Sequence, residues 1–149
     1  MGLFDAIGIA GTGLSAERMR MDVTAENLAN ADTTKAANGQ PYQRQEVVLA
    51  QMGSSDFGGA LSGAMRQGST EAAAGGVEVT GIVSDKTPDQ QVYDPGSPEA
   101  NAKGYVEMPN VSTVTEMTDL ISEQQSYQSD VTAMQTAKSM FSSTLGILK

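Results

Sequence analysis

The chain has 149 residues, 39% of them hydrophobic and 5% aromatic, with 18 acidic against 9 basic side chains and a formal net charge of −9. That length holds one ordinary core, or a small domain with extended arms, and so few aromatics favour thin, elongated packing over one thick core. The acidic balance argues against nucleic acid and anionic lipid as partners, and the absence of His and Cys removes Ser-His and Cys-His catalysis, disulfides and histidine-ligated zinc.

The first residues show no basic n-region and carry an acid at Asp5, so no cleaved secretory signal is expected. No stretch approaches the roughly 20 apolar residues of a membrane span, so no direct membrane insertion is expected either. Residues 3–29 contain no proline and are predicted to be a helix. Ile7, Leu14, Met21 and Leu28 recur at every seventh position, which on a helix makes a seam that must be buried against other helices. Gly8, Gly11 and Gly13 each cost about 1 kcal/mol relative to Ala. They therefore predict crowded packing in which another backbone comes close. The helix is expected to end near Asn30, ahead of the Asp32-Thr33-Thr34 cluster. Asn27 and Asn30 either satisfy that helix end or make specific contacts between subunits.

Residues 36–111 change character and read as a small antiparallel β-module. Its expected strands are Tyr42 to Leu49, Val77 to Val83, Gln91 to Tyr93 and Tyr105 to Met108, with a flexible Gly/Ala/Ser-rich loop over 52–76. From Ser112 to Leu145 there is neither Gly nor Pro. Thr113 followed by Glu116 reads as a capping box that opens a long helix over 112–149, roughly 55 Å at 1.5 Å per residue. Its seam sets Leu120, Tyr127, Met134, Phe141 and Leu148 beside Met117, Val131 and Leu145, with Gln124 and Lys138 on the same second line. A small β-module cannot cover such a rod.

The expected fold is mainly α with a small β-module. Long N- and C-terminal helices pack together as a coiled-coil-like core, with a short-stranded antiparallel insert between them. Three segments follow: an N-terminal helical segment over 1–35, a β-rich middle over 36–111, and a C-terminal helix over 112–149 that pairs with the N-terminal one.

Other motifs have plainer readings. Gly11-Thr12-Gly13-Leu14-Ser15-Ala16, with Asp32 beyond it, matches the dinucleotide fingerprint, but only ten residues precede it and no strand fits among them. Asp85, Asp89, Asp94 and Glu99 lack the spacing of a calcium loop and read as turn acids. Asn110-Val111-Ser112 fits a glycosylation sequon by chance. No cofactor, metal or catalytic residue is expected.

The segment Asn27-Leu28-Ala29-Asn30-Ala31-Asp32-Thr33 resembles the amino-terminal signature of the bacterial flagellar rod and hook axial family. The match continues through Gly39-Gln40-Pro41-Tyr42, Val92-Tyr93-Asp94-Pro95-Gly96-Ser97-Pro98 and Gly104-Tyr105-Val106-Glu107-Met108-Pro109-Asn110-Val111. It closes on Glu116-Met117, Ser126-Tyr127-Gln128 and Lys138-Ser139-Met140, and the combination is similar to the proximal-rod, C-type branch of that family. It covers nearly the whole chain except residues 52–75. Gln125, Asp130 and Ser97 depart from the usual pattern, where Arg, Asn and His are common.

The resemblance implies a structural subunit of the basal-body rod that transmits torque for motility. It implies export through the flagellar type III apparatus without signal cleavage, assembly in the periplasm, and partners among other rod subunits and basal-body proteins. Residues expected to pack between subunits are the two seams, Ile7, Leu14, Met21, Leu28, Met117, Leu120, Tyr127, Val131, Met134, Phe141, Leu145 and Leu148, with Asn27 and Asn30. Self-association is expected, because heterologous contacts of this kind build helical filaments. The alternative is an exported, self-contained helical binding or effector module whose two helices pair within one chain.

Overall fold

A computed structural model describes residues 3–36, 38–52 and 75–147. The order of elements is α1 (Leu3–Ala29), β1 (Gln45–Gln51), β2 (Val77–Ser84), β3 (Gln90–Tyr93), β4 (Tyr105–Met108) and α2 (Thr113–Ile147). The loop expected over 52–76 falls, for residues 53–74, outside the described residues, as does Leu148.

The first helix ends where its sequence turns to short polar side chains. The Asn30 amide donates to Glu26 O at 3.1 Å, its carboxamide donates to the same carbonyl at 2.9 Å, and Thr33 Oγ1 donates to Asn30 Oδ1 at 3.3 Å. The Asn30 side chain thus doubles the last helical bond and turns its oxygen to the polar residues that follow. At the start of α2 the cap is Ser112, one residue earlier than expected. Ser112 O accepts from the Glu116 amide at 2.9 Å, and Ser112 Oγ accepts from the Thr115 amide at 3.4 Å. The Thr113–Glu116 capping box does not form, because the Glu116 carboxylate is drawn to stronger donors described below.

The middle is two separate two-stranded ribbons, β1-β2 and β3-β4. Strands β3 and β4 are antiparallel, with Gln90 opposite Met108 and Tyr93 opposite Tyr105. The rings of that last pair meet edge to face at 5.3 Å. Gly104 makes the return possible: its φ is +79°, and a Cβ there would lie 2.9 Å from Tyr93 Cε2. The β1 strand starts at Gln45, three residues later than Tyr42, because the residues before it spend their amides elsewhere. The Tyr42 amide donates to Thr33 O at 3.1 Å and the Arg44 amide to Asn110 Oδ1 at 2.8 Å.

Two compact units divide the chain. The first comprises Met1–Arg18, Val48–Thr80 and Gln125–Lys149. Within it Thr12 links helix to strand: Thr12 Oγ1 donates to Ile9 O at 2.7 Å and accepts from the Val77 amide at 3.1 Å. The glycines of α1 are approached by side chains and not, as the sequence suggested, by a backbone. Met134 Cε would lie 3.9 Å from a Cβ on Gly11, Asp130 Oδ2 would lie 2.7 Å from one on Gly13, and Gly8 faces open space.

The second unit comprises Met19–Val47 and Gly81–Gln124. Its buried apolar side chains are few, Val23, Val106 and Val111 with Pro109, and they share the interior with Thr24, Asn27, Glu116 and Glu123. A core so rich in polar groups is held by hydrogen bonds as much as by apolar burial.

Candidate functional site

Asn27 stands in the last full turn of α1 and Glu116 in the first turn of α2, each only 1% exposed. Burial of a carboxylate is tolerated only when charge and hydrogen bonds compensate it. Here the Arg44 Nε donates to Glu116 Oε1 at 2.5 Å, and Asn27 Nδ2 donates to Glu116 Oε2 at 3.1 Å. The position also favours a negative charge, since the helix N-terminus carries partial positive charge. Arg44 reaches Glu46 through Nη1, and lies 3.5 Å from Asp119 Oδ2 through Nη2. Burial works to lower the Arg44 pKa, but the hydrogen bond and charge of Glu116, followed by Glu46, outweigh it and raise the value.

Asn27 does more than meet Glu116. Its Oδ1 accepts from the Gln45 amide at 2.9 Å and from the Tyr42 hydroxyl at 2.9 Å, and its Nδ2 also donates to Gln45 O at 2.8 Å. The carboxamide therefore pairs both backbone groups of Gln45, as a neighbouring strand residue would, while using its full capacity of two donors and two acceptors. Asn110 holds the preceding residue, Arg44, and ties it to the segment after β2. It accepts from the Arg44 amide, and its Nδ2 donates to Asp85 O at 3.4 Å and Thr87 O at 3.3 Å. Two asparagine side chains thus clamp the start of β1.

Burial first, then the negative charges of Glu26 and Glu116, raise the Tyr42 pKa above its ordinary value. The Asp85 carboxyl lies below its usual range because the Thr87 hydroxyl and amide both donate to it, at 2.7 and 2.9 Å. One heptad along α2, Glu123 Oε1 accepts from Thr24 Oγ1 at 3.2 Å and lies 3.4 Å from Arg20 Nη2.

This junction is built to hold elements together. Its acids are engaged by arginines and amides, and among the described residues no cluster of three or more metal-ligating side chains occurs. The Gly11–Ala16 motif lies inside α1, where no strand precedes it, so it is not a phosphate loop. Asp94 accepts from the Gly96 amide at 3.1 Å and, like Asp85, closes a turn.

The expected packing residues fall in several places. Ile7, Leu14, Met21 and Leu28 are half-buried, as are Leu120, Tyr127, Val131, Met134 and Phe141. Met117 and Leu145 are about half exposed, at 51% and 52%. In the second unit the side of α1 that meets α2 is marked by Arg20, Thr24 and Asn27. At about 100° per residue, Met21 and Leu28 sit roughly a quarter-turn round from that line. Tyr42, Arg44, Gln45 and Asn110 were not expected at a site, and Tyr42 and Asn110 entered the sequence reading only through a strand, family motifs and a sequon. The signal that pointed to them was acids set into an otherwise apolar helix face.

Comparison with known proteins places these elements in a class. Residues 7–36 match the family described as flagella basal body rod protein, and residues 102–147 match the C-terminal family of flagellar basal body rod FlgEFG proteins. The two segments carry most of α1 and the whole of α2, so the chain falls among the flagellar rod proteins. The chain is 44% identical to the flagellar basal-body rod protein FlgC of Bacillus subtilis, with 100% of both chains covered. It is 39% identical to that of Borreliella burgdorferi (100% and 99% covered) and 41% identical to that of Escherichia coli O157:H7 (97% of each). The chain belongs to the FlgC family of flagellar basal-body rod proteins and is a structural subunit of the rod.

Removing one partner of the junction strands the others. Glu116→Ala takes the buried acceptor from Arg44 Nε and Asn27 Nδ2, while Glu46 and Asp119 still face the guanidinium, and is expected to destabilise the fold by about 1–3 kcal/mol. Asn27→Ala leaves both Gln45 backbone groups unpaired and is expected to cost about 2–4 kcal/mol. Urea denaturation followed by circular dichroism measures both, and losses below about 0.5 kcal/mol would contradict the role assigned to the junction.

Tyr42 gives a pH signature. Its pKa is higher folded than unfolded, so its contribution is complete below the unfolded value near 10 and is lost as pH rises through the folded one. The wild-type minus Tyr42→Phe ultraviolet difference titration should show a phenolate appearing above pH 10, with stability falling over the same range. Titration at or below 10 would contradict the buried hydrogen bond.

Proposed function

We infer that this subunit polymerises through its terminal segments, 1–35 and 112–149, into the hollow shaft that transmits torque for motility. The subunit works without catalysis or cofactor. It reaches the periplasm through the flagellar type III export apparatus, without a cleaved leader, and takes its place in the part of the rod that spans that compartment. Neighbouring rod subunits and basal-body proteins are its partners.

One observation carries this reading: apolar side chains remain uncovered on the helices. Val114 is 76% and Ile121 67% exposed, and with Met117 they follow helical spacing on the side of α2 away from Glu116 and Glu123. On α1 the line of Ile7, Leu14, Met21 and Leu28 is only half-buried. Full burial of one Leu, Met or Ile contributes about 1.5–3 kcal/mol, so covering these lines by neighbours is a sufficient drive for stacking. Head-to-tail contacts of different surfaces then extend helically. Asn27 and Asn30, expected as contact residues, support assembly indirectly by fixing the end of α1.

Ile121→Asp separates assembly from folding. Because Ile121 already faces solvent, monomer stability should change by less than about 0.5 kcal/mol, while rod assembly and swimming are lost. Normal motility with this variant incorporated would refute the packing role.

A further inference from the structure

The acids of α2 that meet α1 are one heptad apart. Glu116, Glu123 and Asp130 form a seven-residue series, and each meets a different kind of residue. In the second unit Glu116 meets the Asn27 carboxamide at 3.1 Å, and Glu123 meets the Arg20 guanidinium at 3.4 Å. In the first unit a Cβ on Gly13 would lie 2.7 Å from Asp130 Oδ2, so this carboxylate uses the space that the glycine leaves. Every step of seven up α2 is therefore a step of seven down α1, through Asn27, Arg20 and Gly13.

The apolar series cannot specify that register. Leu120, Tyr127, Met134 and Phe141 repeat every seven residues, as do Leu14, Met21 and Leu28. A slip of one heptad returns each series to an equivalent position, so the apolar repeat by itself does not tell one alignment from the next. The polar rungs do not survive such a slip. In one direction Asn27 comes level with Pro109 and Glu116 leaves Arg44. In the other, Glu116 passes beyond the end of α1. Either way the Arg44–Glu116–Asn27 network opens and leaves charge without its partner in a site closed to water.

We propose that the rungs Asn27–Glu116, Arg20–Glu123 and Gly13–Asp130 are a register code, selecting one antiparallel alignment of the terminal helices from the several that the apolar seams allow. The best-attested use of buried polar groups between helices is this kind of alignment. The code fixes which apolar side chains stay outside. It rests on contacts within one chain and holds whether or not the assembly reading does.

The chain has no cysteine, so introduced pairs report register without background. In a common Val23→Cys background, which leaves every rung in place, Leu120→Cys marks the native alignment, and Thr113→Cys and Tyr127→Cys mark slips of one heptad either way. With the rungs intact, oxidation of dilute full-length monomer should favour the native pair by about tenfold or more. Two variants remove rungs with apolar residues of similar size: Asn27→Leu with Glu116→Leu, and Arg20→Leu with Glu123→Leu. A register code predicts that helix content by circular dichroism persists while the slipped pairs rise to within about threefold of the native one in at least one variant. If both variants keep the native pair alone, the proposal is overturned. It is equally overturned if both lose their helices, because the rungs would then supply stability and not alignment.

Discussion

The Glu116 carboxylate is closed off from water, and an ionised group in that situation must be met by charge or abandoned as a feature of the fold. Arg44 meets it, which obliges the residues before β1 to lie beside the first turn of α2. Asn27 meets it too, which brings the last turn of α1 to the same point. Since Asn27 at the same time holds both backbone groups of Gln45, the ending of a helix, the beginning of a strand and the beginning of another helix become one event. The charge is compensated by residues 72 and 89 positions away in sequence, so it forms only when the two ends of the chain come together.

How legible this was depended on the range of the forces involved. The bounds of α1 and the pairing of β3 with β4 follow from local features: a proline-free run ending in Asn30, and a turn at Gly104 with positive φ. The junction does not. Glu116 three residues after Thr113 satisfies the pattern of a capping box, and only the presence of Arg44 decides that its carboxylate turns inward while Ser112 takes the cap. The late start of β1 has the same origin, since the Arg44 amide goes to Asn110, 66 residues on. Of the three glycines expected at crowded packing only Gly13 stands at a close approach, and composition cannot distinguish an approaching backbone from the Asp130 carboxylate that fills the space there.

A subunit held by a polar junction suits a rod protein. Among the described residues the buried apolar side chains are small, Ala16, Val23, Val106, Val111 and Ala137, and contribute modestly to a lone chain. Of the larger ones, Ile121 and Leu145 remain outside, while Leu14, Met21, Leu120, Met134 and Phe141 are half-buried. Geometry within the second unit is therefore set by directional bonds as much as by apolar burial.

The central claim is that the helix end, strand start and helix start close together through Asn27 and Glu116. Amide hydrogen exchange on the isolated monomer reads this most directly at Gln45, whose N–H donates to a side chain and not to a strand. The account predicts slow exchange there, at the rate of the last turn of α1 and the first turn of α2, with protection lost jointly at all three in Asn27→Ala. A Gln45 amide that exchanges at the rate of an open chain while both helices stay protected would contradict it.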